Sequence, residues 1–367
     1  PQRSQTALSR KRIRVNSAGV RGPLPAPRSR LTSERGGQTK SAAWRRKAFA
    51  TRPGWSISRA MTPPGSPPAP PRLFDRARIA RNRDRAAATY DDYAFLKDRV
   101  SSDLCERLLD SAHTFERGLD LGCHDGRLAR SIAATGRVAT MEATDLSSGM
   151  VAQAAAAGLA ARVLNEEAPD LPPAVYDLVV SALSLHWVND LPGTLARLRA
   201  AMRPDGLFLA AMFGAGTLSE LRSCLLEAET ELTGGAAPRL SPLPGLRDMA
   251  SLMQRAGFAL PVADRDSVVV RYRDPERLLS DLKGMGERSA FMPGAIRPLP
   301  RRVLERAKTL YRDRFADADG RVCATFEIVH VSGWAPAPGQ PKPLKPGSAK
   351  VSLANAIGRP KPPETSG

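Results

Sequence analysis

The 367-residue chain has a formal net charge of +18, yet 15 of its lysines and arginines fall in residues 1–60 beside a single acid, Glu34. The remainder holds 40 basic and 36 acidic residues, so the part expected to fold is nearly neutral and lacks the basic stripe with interleaved aromatics of a nucleic-acid binder. Four widely spaced cysteines without a CxxC pair argue against a zinc site and a disulfide framework, and suit a reducing compartment; the four scattered histidines suggest no metal site, and the apolar runs are too short to span a bilayer.

Residues 1–60 are rich in Arg, Ser, Pro and Gly without a hydrophobic period, the composition of a disordered segment. Three readings stand for it: a mitochondrial transit peptide, a nucleic-acid or membrane-surface tail, or translated upstream sequence preceding a start at Met61. The last is preferred, with the transit peptide second. Residues 62–71 read as a proline-rich linker. We therefore divide the chain into a basic and proline-rich segment (1–72), one folded domain (73–334) and a loose Pro/Gly/Lys-rich tail (335–367).

From Leu73 to Asp110 the pattern is helical. Tyr93, Leu96, Val100, Leu104 and Leu108 recur at three- and four-residue intervals and predict an amphipathic lead-in over one end of a sheet. Strands are then predicted at Leu119–Leu121, Val138–Asp145, Arg162–Leu164, Tyr176–Ser181 and Gly206–Met212, alternating with helical stretches. The continuous apolar run of Tyr176–Ser181 suits a parallel strand covered on both faces. Arg203-Pro204-Asp205-Gly206 reads as a turn ending the Leu191–Met202 helix. A helix at Thr217–Leu232, a helix ended by Gly257, strand-like Phe258–Val270, two further helical segments and a closing strand at Phe326–Val331 complete the chain. The whole reads as an α/β fold of Rossmann-like type.

The chemistry begins at Gly118–Gly126, where a strand enters a glycine turn and a helix. A dinucleotide pyrophosphate would want Gly-x-Gly-x-x-Gly. Here Asp120 stands two residues before Gly122, and a carboxylate there favours a cationic ligand such as the sulfonium and ammonium of S-adenosylmethionine. Asp145 ends the second strand 25 residues beyond Asp120, and Asn165-Glu166 follow the third. Ligands of open α/β sheets bind outside these carboxyl ends, where an acid can accept both ribose hydroxyls. The loop Leu185–Asp190 follows the fourth strand on the substrate side; His186 there is a general base, or it and Trp187 wall the pocket.

These residues resemble the class I S-adenosylmethionine-dependent methyltransferases, and within them the branch of the respiratory complex I assembly factor, itself similar to the malonyl-carrier-protein methyltransferases. The marks include Phe74-Asp75-Arg76, Ser184–Pro192, Ala211–Gly214, Ala228–Glu231, Arg255–Phe258, Gly284–Glu287 and Ala324–Ile328, spanning roughly residues 73–334. The resemblance implies a mostly parallel seven-stranded sheet with a helical lead-in and a helical insertion before the last strands. It places the cofactor, S-adenosylmethionine, on Asp120, Gly122, Gly126, Asp145, Asn165 and Glu166; Ser181 is counted with them. Three positions depart from the branch: His124 replaces a glycine, Asn165 stands where an acid meets the adenine, and Cys323 replaces a proline.

The expected function is an S-adenosylmethionine-dependent enzyme modifying a protein side chain, an arginine, during complex I assembly. His186, Trp187 and Glu229 are the candidate catalytic residues, the glutamates of Glu227–Glu231 holding a guanidinium in bidentate pairs. Alternatives are arginine hydroxylation on the same fold, malonyl-carrier-protein methylation, and a non-catalytic assembly chaperone. The expected partner is a complex I subunit, with peripheral membrane association compatible with it. The compartment is the cytoplasm for a bacterial chain, which is preferred, and the mitochondrial matrix or inner-membrane face for a eukaryotic one.

Overall fold

The structure, a computed structural model, describes residues 72–341. The basic segment 1–60, the proline-rich stretch 62–71 and most of the tail 335–367 lie outside the described residues.

Among the described residues seven strands, β1 (Phe115–Leu121), β2 (Val138–Asp145), β3 (Ala160–Val163), β4 (Tyr176–Ala182), β5 (Met202–Phe213), β6 (Ala259–Tyr272) and β7 (Val322–Trp334), form one sheet of order β3-β2-β1-β4-β5-β7-β6. The first five are parallel; β7 runs antiparallel to β5, and β6 antiparallel to β7. Alternation along the central strands supplies both faces. Leu178, Val180, Leu207 and Leu209 enter one apolar cluster, and Val179, Phe208, Ala210 and Met212 the other. A sheet covered on both sides needs such unbroken apolar strands.

The helices are α1 (Arg76–Ala87), α2 (Phe95–Leu109), α3 (Arg127–Ala134), α4 (Ser148–Ala156), α5 (Leu191–Ala201), α6 (Ser219–Thr233), α7 (Leu246–Arg255), α8 (Pro275–Gly284) and α9 (Arg301–Phe315). Asp75 caps α1 by accepting from the Arg78 amide. Further along α1, Asp84 accepts from the Ser147 hydroxyl and the Gly149 amide, at 2.6 and 2.9 Å, which seats the helix on the start of α4. Leu96, Val100, Leu104 and Leu108 of α2 are buried as their spacing predicts.

One local expectation is corrected. Arg203–Gly206 does not separate α5 from the fifth strand but lies inside β5. Met202 pairs with Tyr176 and Leu207 with Leu178, so the turn is an irregularity in a continuing ladder, with Asp205 at φ 66°. Turn residues signal a backbone reversal; the pairing on either side is a tertiary matter.

Candidate active site

The carboxyl ends of β1, β2 and β4, with the loop after β3, converge on a buried polar cluster. Asp120, Asp145 and Glu166 are fully shielded from solvent. The β1–α3 turn depends on glycine: Gly122 and Gly126 have φ of 71° and 77°, and a Cβ on Gly122 would lie 2.1 Å from the Ser184 hydroxyl. The turn delivers α3 so that the Ala129 amide donates to Asp120 Oδ2, at 3.1 Å.

Two helices that precede the sheet reach into this cluster. Arg83 of α1, itself buried, donates to both oxygens of Asp145 at 3.1 Å, to Glu166 Oε1 at 2.7 Å and to Ser184 Oγ at 2.8 Å. Arg76 pairs with the other Glu166 oxygen and donates to Asn165 Oδ1. Burial alone would raise the Glu166 carboxyl, but Arg76 and Arg83 hold it down at about 2. Burial would likewise lower the Arg83 pKa; Asp145 and Glu166 reverse that and raise it. Lys97 of α2 donates to the carbonyls of Ala182 and Gly122, at 2.6 and 3.3 Å, and burial lowers its pKa.

His124 sits in the turn with φ 53°, the left-handed conformation that its replacement of a glycine requires. Its amide donates to Asp145 Oδ2 at 3.0 Å, its ring stacks on Tyr90, and Nδ1 lies 3.0 Å from Lys97 Nζ. Burial, then Lys97 and Arg83, drive the imidazole pKa well below its ordinary value, so the ring is neutral.

The residues fit an S-adenosylmethionine ligand. Asp120 Oδ1 is buried without a hydrogen-bond partner among the described residues, the atom a cofactor ammonium would satisfy. Asp145 and Glu166 stand where a nucleoside would be held, with Asn165 exposed at the edge of the same cluster. A ribose diol at Asp145 would replace the Arg83 guanidinium, which sits on a long, rotatable side chain. Ser181 is differently placed: its hydroxyl donates to the Leu121 carbonyl at 2.7 Å and ties β4 to β1.

Beside the cluster opens a cavity of about 980 Å³, mainly apolar, with His186, Trp187, Phe213 and Glu287 in its wall. Glu287 Oε2 accepts from Trp187 Nε1 at 2.8 Å and lies 3.2 Å from His186 Nε2. A carboxylate only accepts, so Nε2 carries the imidazole proton. His186 Nδ1 is buried without a hydrogen-bond partner among the described residues. The Trp187 ring packs edge-on against Phe74, 5.2 Å between centroids.

Glu229 is not brought to His186 and Trp187. It is paired with Arg239, while Glu227 and Glu231 pair with Arg314 and Arg306 of α9. The glutamates of α6 do hold guanidiniums, but those of this chain. Arg83, Lys97 and Glu287 are the site residues that sequence reasoning missed. Arg83 stands in an arginine-rich run indistinguishable from a solvated face, and Glu287 figured only as one mark of the resemblance.

A sheet of this order with acids at its first strand ends defines the class I S-adenosylmethionine-dependent methyltransferase fold. A methyltransferase-domain family profile matches residues 81–261. "Arginine-hydroxylase NDUFAF5, mitochondrial" of Danio rerio is 37% identical over 287 residues, covering 77% of this chain and 89% of that protein. The Homo sapiens protein of the same name is 34% identical over 303 residues, covering 81% and 87%. "Malonyl-[acyl-carrier protein] O-methyltransferase" of Halorhodospira halophila is 33% identical, covering 73% and 90%. The chain belongs to the family of the NDUFAF5 arginine hydroxylases within that superfamily. It is an enzyme, and its cofactor is S-adenosylmethionine. No helix among the described residues is long and apolar enough to cross a membrane.

Proposed function

We propose that this enzyme modifies an arginine side chain of a protein client, a subunit of respiratory complex I, and that residues 73–334 are the single domain that does so. The observation that carries the proposal is the 37% identity to an arginine hydroxylase across 89% of that protein's length. The site supports it: the wall of His186, Trp187 and Glu287 lies between the strand-end carboxylates and a cavity with room for a side chain of the client. The cofactor would sit on Asp120, Gly122, Gly126, Asp145, Asn165 and Glu166, supplying a sulfonium-activated methyl group. His186 Nδ1 can take a proton from the reacting group, and Trp187 fixes the wall by donating to Glu287. Glu229 serves by ordering Arg239. Cytoplasm in a bacterium, or the mitochondrial matrix or inner-membrane face in a eukaryote, is the matching compartment; the relatives are named mitochondrial.

Incubation of the full chain with labelled cofactor and the client subunit, followed by mass spectrometry, tests the reading. Gain of one methyl on an arginine is the outcome the cofactor's chemistry supplies; gain of one oxygen, which needs dioxygen and a reductant added to the incubation, identifies the hydroxylation in the relatives' name instead. An unmodified client, with folded enzyme, overturns the proposal. The malonyl-carrier reading has the 33% identical relative in its favour; rescue of a biotin auxotroph separates it.

A further inference from the structure

Of the described side chains that line the large cavity, Glu287 is the one acid. It lies at the inner wall, its side chain 10% exposed, beside His186 at 1%. Oε2 is fixed by the His186 and Trp187 donors, and Oε1 accepts no hydrogen bond among the described residues. Leucines, Phe213 and Phe326 line the same cavity. The solvent edge has the opposite charge. Arg78, Lys283, Arg288 and Arg297 are exposed there, and none forms an ion pair among the described residues. The fifth cation of the wall, Arg239, is neutralised by Glu229.

This pattern selects its ligand by charge at two depths. A guanidinium is planar, donates in a fork and is always protonated, so a carboxylate held in orientation among apolar side chains recognises it, while the apolar wall takes up the methylene stem. A malonyl carboxylate beside Glu287 would meet it as a like charge. At the mouth, four unpaired cations attract carboxylates. We infer that Glu287 receives the guanidinium of the substrate arginine and that the cationic rim selects client segments carrying acidic residues beside it. The inference rests on the arginine-modifying reading and adds the residue and the flanking chemistry that read the substrate.

The test uses the full chain and binding rather than turnover. A fluorescent peptide with a central arginine and a glutamate on each side is titrated by anisotropy, beside counterparts in which citrulline replaces the arginine or lysines replace the glutamates. The expected loss for citrulline is about 10- to 100-fold, the worth of a hydrogen bond between charged groups. Glu287→Gln is expected to abolish that preference while leaving S-adenosylmethionine affinity unchanged, and Glu287→Asp to restore part of it. Arg288→Glu together with Lys283→Glu should weaken the glutamate-flanked peptide and favour the lysine-flanked one. The citrulline comparison needs no variant, so it holds even where Glu287→Gln fails to fold. Equal affinity of wild type for arginine and citrulline, or an unchanged preference in Glu287→Gln, overturns the inference. Client modification by wild type alongside such a result leaves the proposed function standing; selective binding without modification does the reverse.

Discussion

Burial raises the Asp120 carboxyl from its ordinary 3.8 to about 7, with the Lys97 ammonium and the Ala129 amide opposing the shift. The folded protein therefore holds this proton more tightly than the unfolded chain. Between pH 3.8 and about 7 the group's contribution to stability falls as pH rises, and above 7 it is constant. A cofactor ammonium favours the ionised form, so S-adenosylmethionine affinity should rise with pH up to about 7 and then level. Asp120→Asn should remove that dependence and weaken binding about 10- to 100-fold. Calorimetric titration on both sides of neutrality reads both effects, and no detectable heat with wild type at millimolar cofactor would undermine every enzymatic reading. His124 offers a second check. Its amide contact to Asp145 survives in His124→Gly, and glycine takes a φ of 53° without strain. Cofactor affinity is expected to hold or increase; a large loss would give the imidazole a role of its own in binding. The glycine turn and Asp120 were legible because their chemistry is local. Asp120's raised pKa was not, since it comes from the elements that close over it.

At the scale of elements, α1 contributes a charge to the middle of the sheet's carboxyl edge. Arg83 neutralises Asp145 and Glu166 together, and removing it leaves two carboxylates short of a buried partner. Arg83→Met should cost about 3–5 kcal/mol at neutral pH, measured by urea unfolding. The low Glu166 pKa adds stability that is fully present above 4.5 and is lost as pH falls toward about 2. The difference between variant and wild type should accordingly shrink across that window. The helical character of Leu73–Asp110 was readable, but not which of the arginines of α1 turns inward. Periodicity marks apolar faces, and a buried ion pair breaks that rule. The same limit explains α6: Glu227, Glu229 and Glu231 were expected to hold a substrate guanidinium but pair with arginines of this chain, Arg314 and Arg306 from the distant α9 and Arg239 ten residues beyond Glu229. In β5 the composition of Arg203–Gly206 showed the turn and concealed the strand around it.

For the molecule as a whole, strand order decides where chemistry occurs. With β1 and β4 adjacent at the centre, the loops after β1, β2, β3 and β4 open toward one edge, and α1 and the segment after α8 bring Arg83 and Glu287 to it. The sequence places the folded domain at residues 73–334, so a chain begun at Met61 should match the full chain in thermal midpoint and in cofactor affinity. A fall in either, by differential scanning calorimetry or titration, would give residues 1–60 a part in the fold or the site.

The sequence by itself determined the α/β class, the alternation of strands and helices, the glycine turn with Asp120, and the strand-end polar residues. Each depends on contacts within a few residues or on a regular period, and such information survives in one dimension. Only the tertiary structure decided which charges meet. Arg83 reaches Glu166 across 83 positions and Glu287 reaches His186 across 101, and no spacing rule links residues so far apart. Pairing of buried charges is set by the requirement that each be satisfied once the sheet has closed, so the carboxylate facing the cavity emerged from the fold.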